Sequence, residues 1–168
     1  MKGPTLGGHG FDVVLISRNQ NKLDALAGAL AESGITAEGF AAGIADADQL
    51  TGALKVAAEQ LGRIDVLEVS PHAGLSVAQP EAVTLDHLRP QADNLLSGAV
   101  TAVQAVLPAM LDAGSGTVLF ATGGGAIHPY AMLADTNVAQ AWQRNWALTL
   151  HNSLAVRGIY AASIAINS

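Results

Sequence analysis

Apolar positions in this chain form short, β-branched runs separated by longer stretches of helical periodicity. The run FDVVLIS, residues 11–17, is almost continuously apolar, the pattern of a strand buried on both faces of a parallel sheet. Leu23, Leu26, Ala27 and Leu30 then recur at three- and four-residue spacing and predict a helix that stops near Gly34. ITAEGFAA, residues 35–42, predicts a second strand, and Asp46 with Gln49 makes a capping-box pattern for a helix running to about Leu61. IDVLEVS, residues 64–70, is the third predicted strand, followed by a loop over residues 71–83 with Pro71, Gly74 and Pro80.

From Thr84 to Asp112 the pattern is helical, but Pro90 is expected to break or restart the helix, because its ring removes a donor and clashes with the preceding turn. Pro108 should only kink it near its end. GTVLFAT (116–122) predicts a fourth strand, GGGAIHPY a flexible loop, residues 134–156 the longest uninterrupted helix, and GIYAASIAI a closing strand. Strands alternating with helices imply right-handed crossover units, hence an α/β fold with a doubly wound parallel sheet. Ligands of such sheets sit at the carboxyl ends of the strands, which directs attention to Ser17, Ala42, Ser70 and Thr122. Without repeats or linker-like tracts, residues 1–168 are expected to be one domain.

Composition narrows the function classes. Half the residues are hydrophobic and only 4% aromatic, so small aliphatic side chains dominate the expected core. Eight basic against fourteen acidic residues, a net charge of −6 without a basic stripe, argue against nucleic acid as a partner. The chain has no cysteine, which removes disulfides, thiolate nucleophiles and thiolate metal sites. Its five histidines show no metal-ligand spacing, so no metal is expected. MKGPTLGGHG lacks the apolar core of a signal peptide, and no run of about 18 apolar residues occurs, so a cytoplasmic protein with no membrane partner is the expectation.

The segments FDVVLISRNQNKLDAL, GRIDVLEVSPHAG, AVLPAMLDAGSGTVLF and LAVRGIYAASIAIN, in this order and spacing, resemble the short-chain dehydrogenase/reductase family over nearly the whole length from residue 10. The resemblance implies a Rossmann-like dinucleotide-binding oxidoreductase acting on a small carbonyl or alcohol substrate, commonly a dimer or tetramer. It also requires segments 11–17, 64–70 and 116–122 to run side by side in one direction. Ser17 and Arg18 then fall where the adenosine ribose is read. An Arg there suits a 2′-phosphate, giving NADP(H) over NAD(H), although a solvated residue at a strand end is the simpler alternative. Ser70 and Gly74 of the SPHAG turn would lie beneath the cofactor. Gly43 replaces an acid that often holds the adenine amino group, leaving Ile44 to touch the ring, and Thr122 ends the fourth strand beside the site.

Gly3 and Gly7 of GPTLG look like the end of the family's phosphate-binding turn, in which glycines let backbone N–H groups approach a pyrophosphate. A strand should precede that turn and a helix should follow it. Ten residues cannot supply both at about 3.3 Å per strand residue and 1.5 Å per helix residue. Most of the first strand–helix unit is therefore expected to be missing and the fold truncated at both ends, leaving two strand edges without a neighbour unless another segment fills the gap or the molecule carries residues beyond this sequence.

The resemblance also assigns the catalytic positions. Counting back from Gly158 puts Gln140 at the family's lysine, Thr136 at its tyrosine and Gly123 near its serine, while Leu95 takes the place of a helix asparagine with Asn94 beside it. The family's tyrosine moves a proton, its lysine tunes that tyrosine, and its serine holds the carbonyl oxygen. Thr136 is a far weaker acid than a phenol, and Gln140 carries no charge. His128 and Tyr130, in the loop after the fourth strand, are the alternative proton carriers; the competing view is that Tyr130 packs under the loop and His128 is simply exposed. Thr136, Gln140 and Arg144 share a helix face suited to a polar pocket or a dimer contact, and Trp142 with Trp146 suits an interface or the core. Three readings follow: an atypical NADP(H)-dependent oxidoreductase, a non-catalytic nucleotide-binding or dimeric scaffold, or a truncated, poorly folding product.

Overall fold

Every strand pairing in the computed structural model, which describes residues 6–71 and 77–166, is parallel. Gly3, His72 and Gly74 lie outside the described residues. The chain divides into two compact units, residues 1–62 and 63–168.

In the first unit β1 (Val13–Ser17) pairs with β2 (Ala37–Ala41), Val13 opposite Ala37 and Ser17 opposite Ala41. The connecting helix α1 (Gln20–Ala31) starts where the Asn19 side chain accepts the Lys22 N–H at 3.1 Å. α2 (Ala47–Leu61) buries Leu50, Leu54 and Ala57, an i, i+4, i+7 stripe. Only half of its predicted capping box forms. Asp46 accepts the Gln49 N–H at 3.0 Å, but the Gln49 carboxamide oxygen turns to the Gly43 N–H at 3.3 Å instead of reaching back. Val13 to Ile16 are half-buried, not buried as expected, because among the described residues β1 has a neighbour on one edge only.

The second unit is a three-stranded sheet in the order β3–β4–β5, from β3 (Val66–Val69), β4 (Gly116–Gly123) and β5 (Ile159–Ile166). The expected side-by-side arrangement therefore holds for β3 with β4, whereas β1 hydrogen-bonds to β2. Val69, Val118, Phe120, Ile159 and Ala161 form its core, with Met110 packed so close to Gly116 that a Cβ there would overlap its side chain. The turn into β5 needs glycine twice over. Gly158 has φ +80°, and a Cβ on it would strike the Gly114 carbonyl oxygen.

Pro90 does not break its helix. α3 (Leu85–Gln91) runs through a π-helical turn (Ala92–Ser97) into α4 (Gly98–Ala113), 29 helical residues in all. The wider π turn begins two residues after the proline, and side chains satisfy carbonyls of this stretch: Asn94 Nδ2 donates to Pro90 O at 2.8 Å and Gln143 Nε2 to Leu95 O at 2.6 Å. Pro108 sits inside α4, which continues to Ala113. By length and by a mean hydropathy of 1.5 over its best 18 residues, this is one helix apolar enough to cross a membrane. In this structure Ala99, Ala102, Val103, Val106 and Met110 are buried on it, and α4 packs against β3 and β4.

α5 (Ala134–Leu154) follows the loop after β4 and ends in a 3-10 turn at Ala155–Arg157. Trp146 stands tilted against buried Phe120 at 5.4 Å between ring centroids, and Trp142 against Trp146 at 5.3 Å. Trp146 is half-buried and Trp142 38% exposed.

Candidate functional site

The residues expected on the adenosine side belong to the first unit. Ser17 ends β1, and its Oγ accepts the Asn19 N–H at 3.4 Å. Arg18 is exposed and forms no hydrogen bond or ion pair among the described residues, while the start of its side chain lies beside Gly43, 3.8 Å from where a Cβ would stand. Ile44 is half-buried between β2 and α2. An open guanidinium at a strand's carboxyl end suits a phosphorylated ribose, although Asp46 also lies beside Gly43, its Cβ 3.9 Å from where a Cβ would stand. Gly7 begins a three-residue 3-10 turn, Gly7–His9, and a Cβ on it would overlap the Ile35 side chain.

The second unit holds the remaining assigned positions. Ser70 is exposed just beyond β3. Thr122 is buried near the end of β4, its Oγ1 3.3 Å from Ser163 Oγ on the neighbouring strand. Gly123 and Gln140 meet: the Gln140 carboxamide lies 3.0–3.1 Å from the position of a Cβ on Gly123. The two positions are thus sterically coupled, since the long amide fills the room that a side chain at position 123 would need. Thr136 is only 5% exposed and its hydroxyl has no partner, so its side chain faces the interior.

The loop after β4, expected to be flexible, contains a hydrogen-bonded turn. Gly124–Ala126 form a 3-10 turn with Gly124 and Gly125 buried, and the Ile127 and His128 N–H groups both donate to Gly124 O, at 3.0 and 2.9 Å. His128 is exposed and Tyr130 is 53% exposed, which removes the view that Tyr130 is packed beneath the loop. The start of α5 is tied on the other side to residue 78: Ala78 N–H donates to Met132 O and Ala134 N–H to Ala78 O.

Sequence reasoning missed Asp135 and Asn137. Both are buried in the first turn of α5, where a polar triplet reads as a solvated helix start. Asn137 Nδ2 donates to Tyr130 O at 2.7 Å, and both carboxylate oxygens of Asp135 lack a partner. No signal in the sequence marked them, since the same helix carries further polar triplets at Gln143–Asn145 and His151–Ser153.

Comparison with known proteins finds the family model for short chain dehydrogenase matching residues 4–167. "Oxidoreductase asL5" of Sarocladium schorii is 28% identical over 162 residues, and "Dehydrogenase/reductase SDR family member 4" of Sus scrofa is 27% identical over 162. Each match covers 93% of this chain, which spans 63% and 56% of those two relatives. A 3-oxoacyl (acyl-carrier-protein) reductase of Agrobacterium tumefaciens, solved with NADP bound, superposes with a TM-score of 0.88 at 23% identity, covering 96% of this chain and 62% of that one. At that identity the likeness is one of fold.

Proposed function

The chain belongs to the short-chain dehydrogenase family, and from that premise we propose that residues 1–168 act as one Rossmann-like domain of an NADP(H)-dependent oxidoreductase for small carbonyl or alcohol substrates. The observation that carries the cofactor assignment is the exposed, unpaired guanidinium of Arg18 beside Gly43, at the end of β1. When bound, the nicotinamide supplies or accepts the hydride. His128 or Tyr130 exchanges the accompanying proton, both side chains being open on the loop after β4, and the Gln140 carboxamide over Gly123 offers an N–H to the substrate oxygen. The homologous NADP-bound reductase supports the choice of NADP(H) over NAD(H). We place the protein in the cytoplasm, as a homodimer or tetramer joined through its two long helices, where Val138 and Trp142 stand exposed on α5.

A second reading is favoured by the burial of Thr136. With no accessible hydroxyl at the tyrosine position, the chain binds nucleotide without turning it over and serves as a dimeric scaffold. Thermal melts with NADPH test both readings, because a ligand that binds only the native state stabilises it by about 2.7 kcal/mol at a hundredfold excess over Kd. A melting temperature unmoved by millimolar NADPH removes the nucleotide from either reading. A shift without NADPH oxidation across a panel of small ketones and aldehydes leaves the scaffold.

A further inference from the structure

On the reading that His128 and Tyr130 carry the proton, we propose that Asn137 is a positioning residue: with Gly125 it latches loop 124–133 onto the first turn of α5 and so sets how those two side chains are presented.

The bonding around Asn137 is asymmetric. Its Nδ2 donates to Tyr130 O at 2.7 Å, and the same carbonyl accepts the Leu133 N–H at 3.0 Å, so one oxygen anchors both the loop's end and the helix. Its Oδ1 is buried without a donor and lies against Gly125, where a Cβ would overlap it. Flipping the amide would set two acceptor oxygens face to face, which fixes its orientation. Gly125 in turn belongs to the 3-10 turn whose first carbonyl, Gly124 O, holds the Ile127 and His128 N–H groups. The latch thus grips the loop on both sides of His128: at Gly125 by contact, at Tyr130 by a hydrogen bond. No other side chain among the described residues makes a hydrogen bond between α5 and this loop.

Two substitutions open the latch by different routes. Asn137→Asp keeps the volume but replaces the donor facing Tyr130 O with an acceptor. Gly125→Ala leaves the donor in place and displaces the side chain. Hydrogen–deuterium exchange on the full chain reads the outcome at the Ile127, His128 and Leu133 amides. Both variants are expected to raise exchange there at least tenfold while leaving Val118 and Phe120 of β4 unchanged. Adding Gly125→Ala to Asn137→Ala should accelerate exchange no further than Asn137→Ala alone, since the overlap is already relieved. With NADPH and 2,3-butanedione as probe, kcat should fall in both single variants while KM for NADPH holds. Unchanged loop exchange in both single variants overturns the latch whatever the activity does. Accelerated exchange with kcat intact overturns its role in presenting the two side chains. A wild-type chain that binds NADPH but turns over no carbonyl removes the proton-carrier reading and with it the presenting role, and exchange then judges the latch alone.

Discussion

Arg18 and Asp135 are opposite cases of an ionisable side chain without a partner. The Arg18 guanidinium is in water, where lacking a partner costs little and leaves five donors available. A charge-assisted hydrogen bond contributes about 1.5–3 kcal/mol. Arg18→Ala should therefore weaken NADPH binding by roughly ten- to a hundredfold and leave NADH within about twofold, as read by quenching of tryptophan fluorescence. An equal loss for both dinucleotides would end the assignment to the 2′-phosphate. Asp135 is fully buried, with both oxygens unpartnered. An acceptor left so costs about 1–3 kcal/mol, while a position in the first turn of α5 returns about 0.3–1 kcal/mol from the helix dipole. Desolvation wins. Asp135→Asn, which brings donors into an interior short of them, is expected to raise stability by about 1 kcal/mol in urea melts; a loss of stability would mean that the carboxylate has a partner in solution.

Among the elements, the helical stretch from Leu85 to Ala113 departs furthest from expectation, and the reason lies in another helix. Read alone, Pro90 is a break; in place, a π-helical turn follows it and a buried amide from α5 occupies the Leu95 carbonyl. The seam costs something, because Gln143 Oε1 and Gln91 Oε1 are both buried without donors. Gln143→Met keeps the volume and removes one of those orphans but abandons Leu95 O. A lost hydrogen bond of about 1 kcal/mol, together with a newly unsatisfied buried carbonyl, should give a net destabilisation of about 1–3 kcal/mol. Chemical denaturation checks this, and a neutral substitution would show that the π turn does not need the amide. Helix α5 teaches the same lesson: its boundaries were legible from periodicity, but its polar first turn was not recognisable as buried, because burial there depends on the loop from β4 and on residue 78 closing over it.

At the scale of the whole chain, strand pairing is unevenly distributed. β4 has neighbours on both sides, and Val118 and Phe120 are essentially sealed from solvent, whereas among the described residues β1 pairs on one side and Val13 to Ile16 are half-buried. Exchange protection follows burial and paired edges, so the Leu15 and Ile16 amides should exchange at least tenfold faster than those of Val118 and Phe120. Equal protection would mean that β1 gains a second neighbour in solution. The sequence by itself determined the order of strands and helices, the parallel α/β class and the family. The order of elements and the class follow from local periodicity, and the family from the resemblance of four segments to known sequences, none of which requires knowledge of spatial neighbours. Tertiary structure alone decided that Gln140 fills the space over Gly123, that Thr136 faces inward while Tyr130 faces out, that Gly7 lies against Ile35, and that Asn137 binds the loop bearing His128. Each depends on which surfaces meet across the fold, and residues far apart in the chain carry no local trace of that meeting.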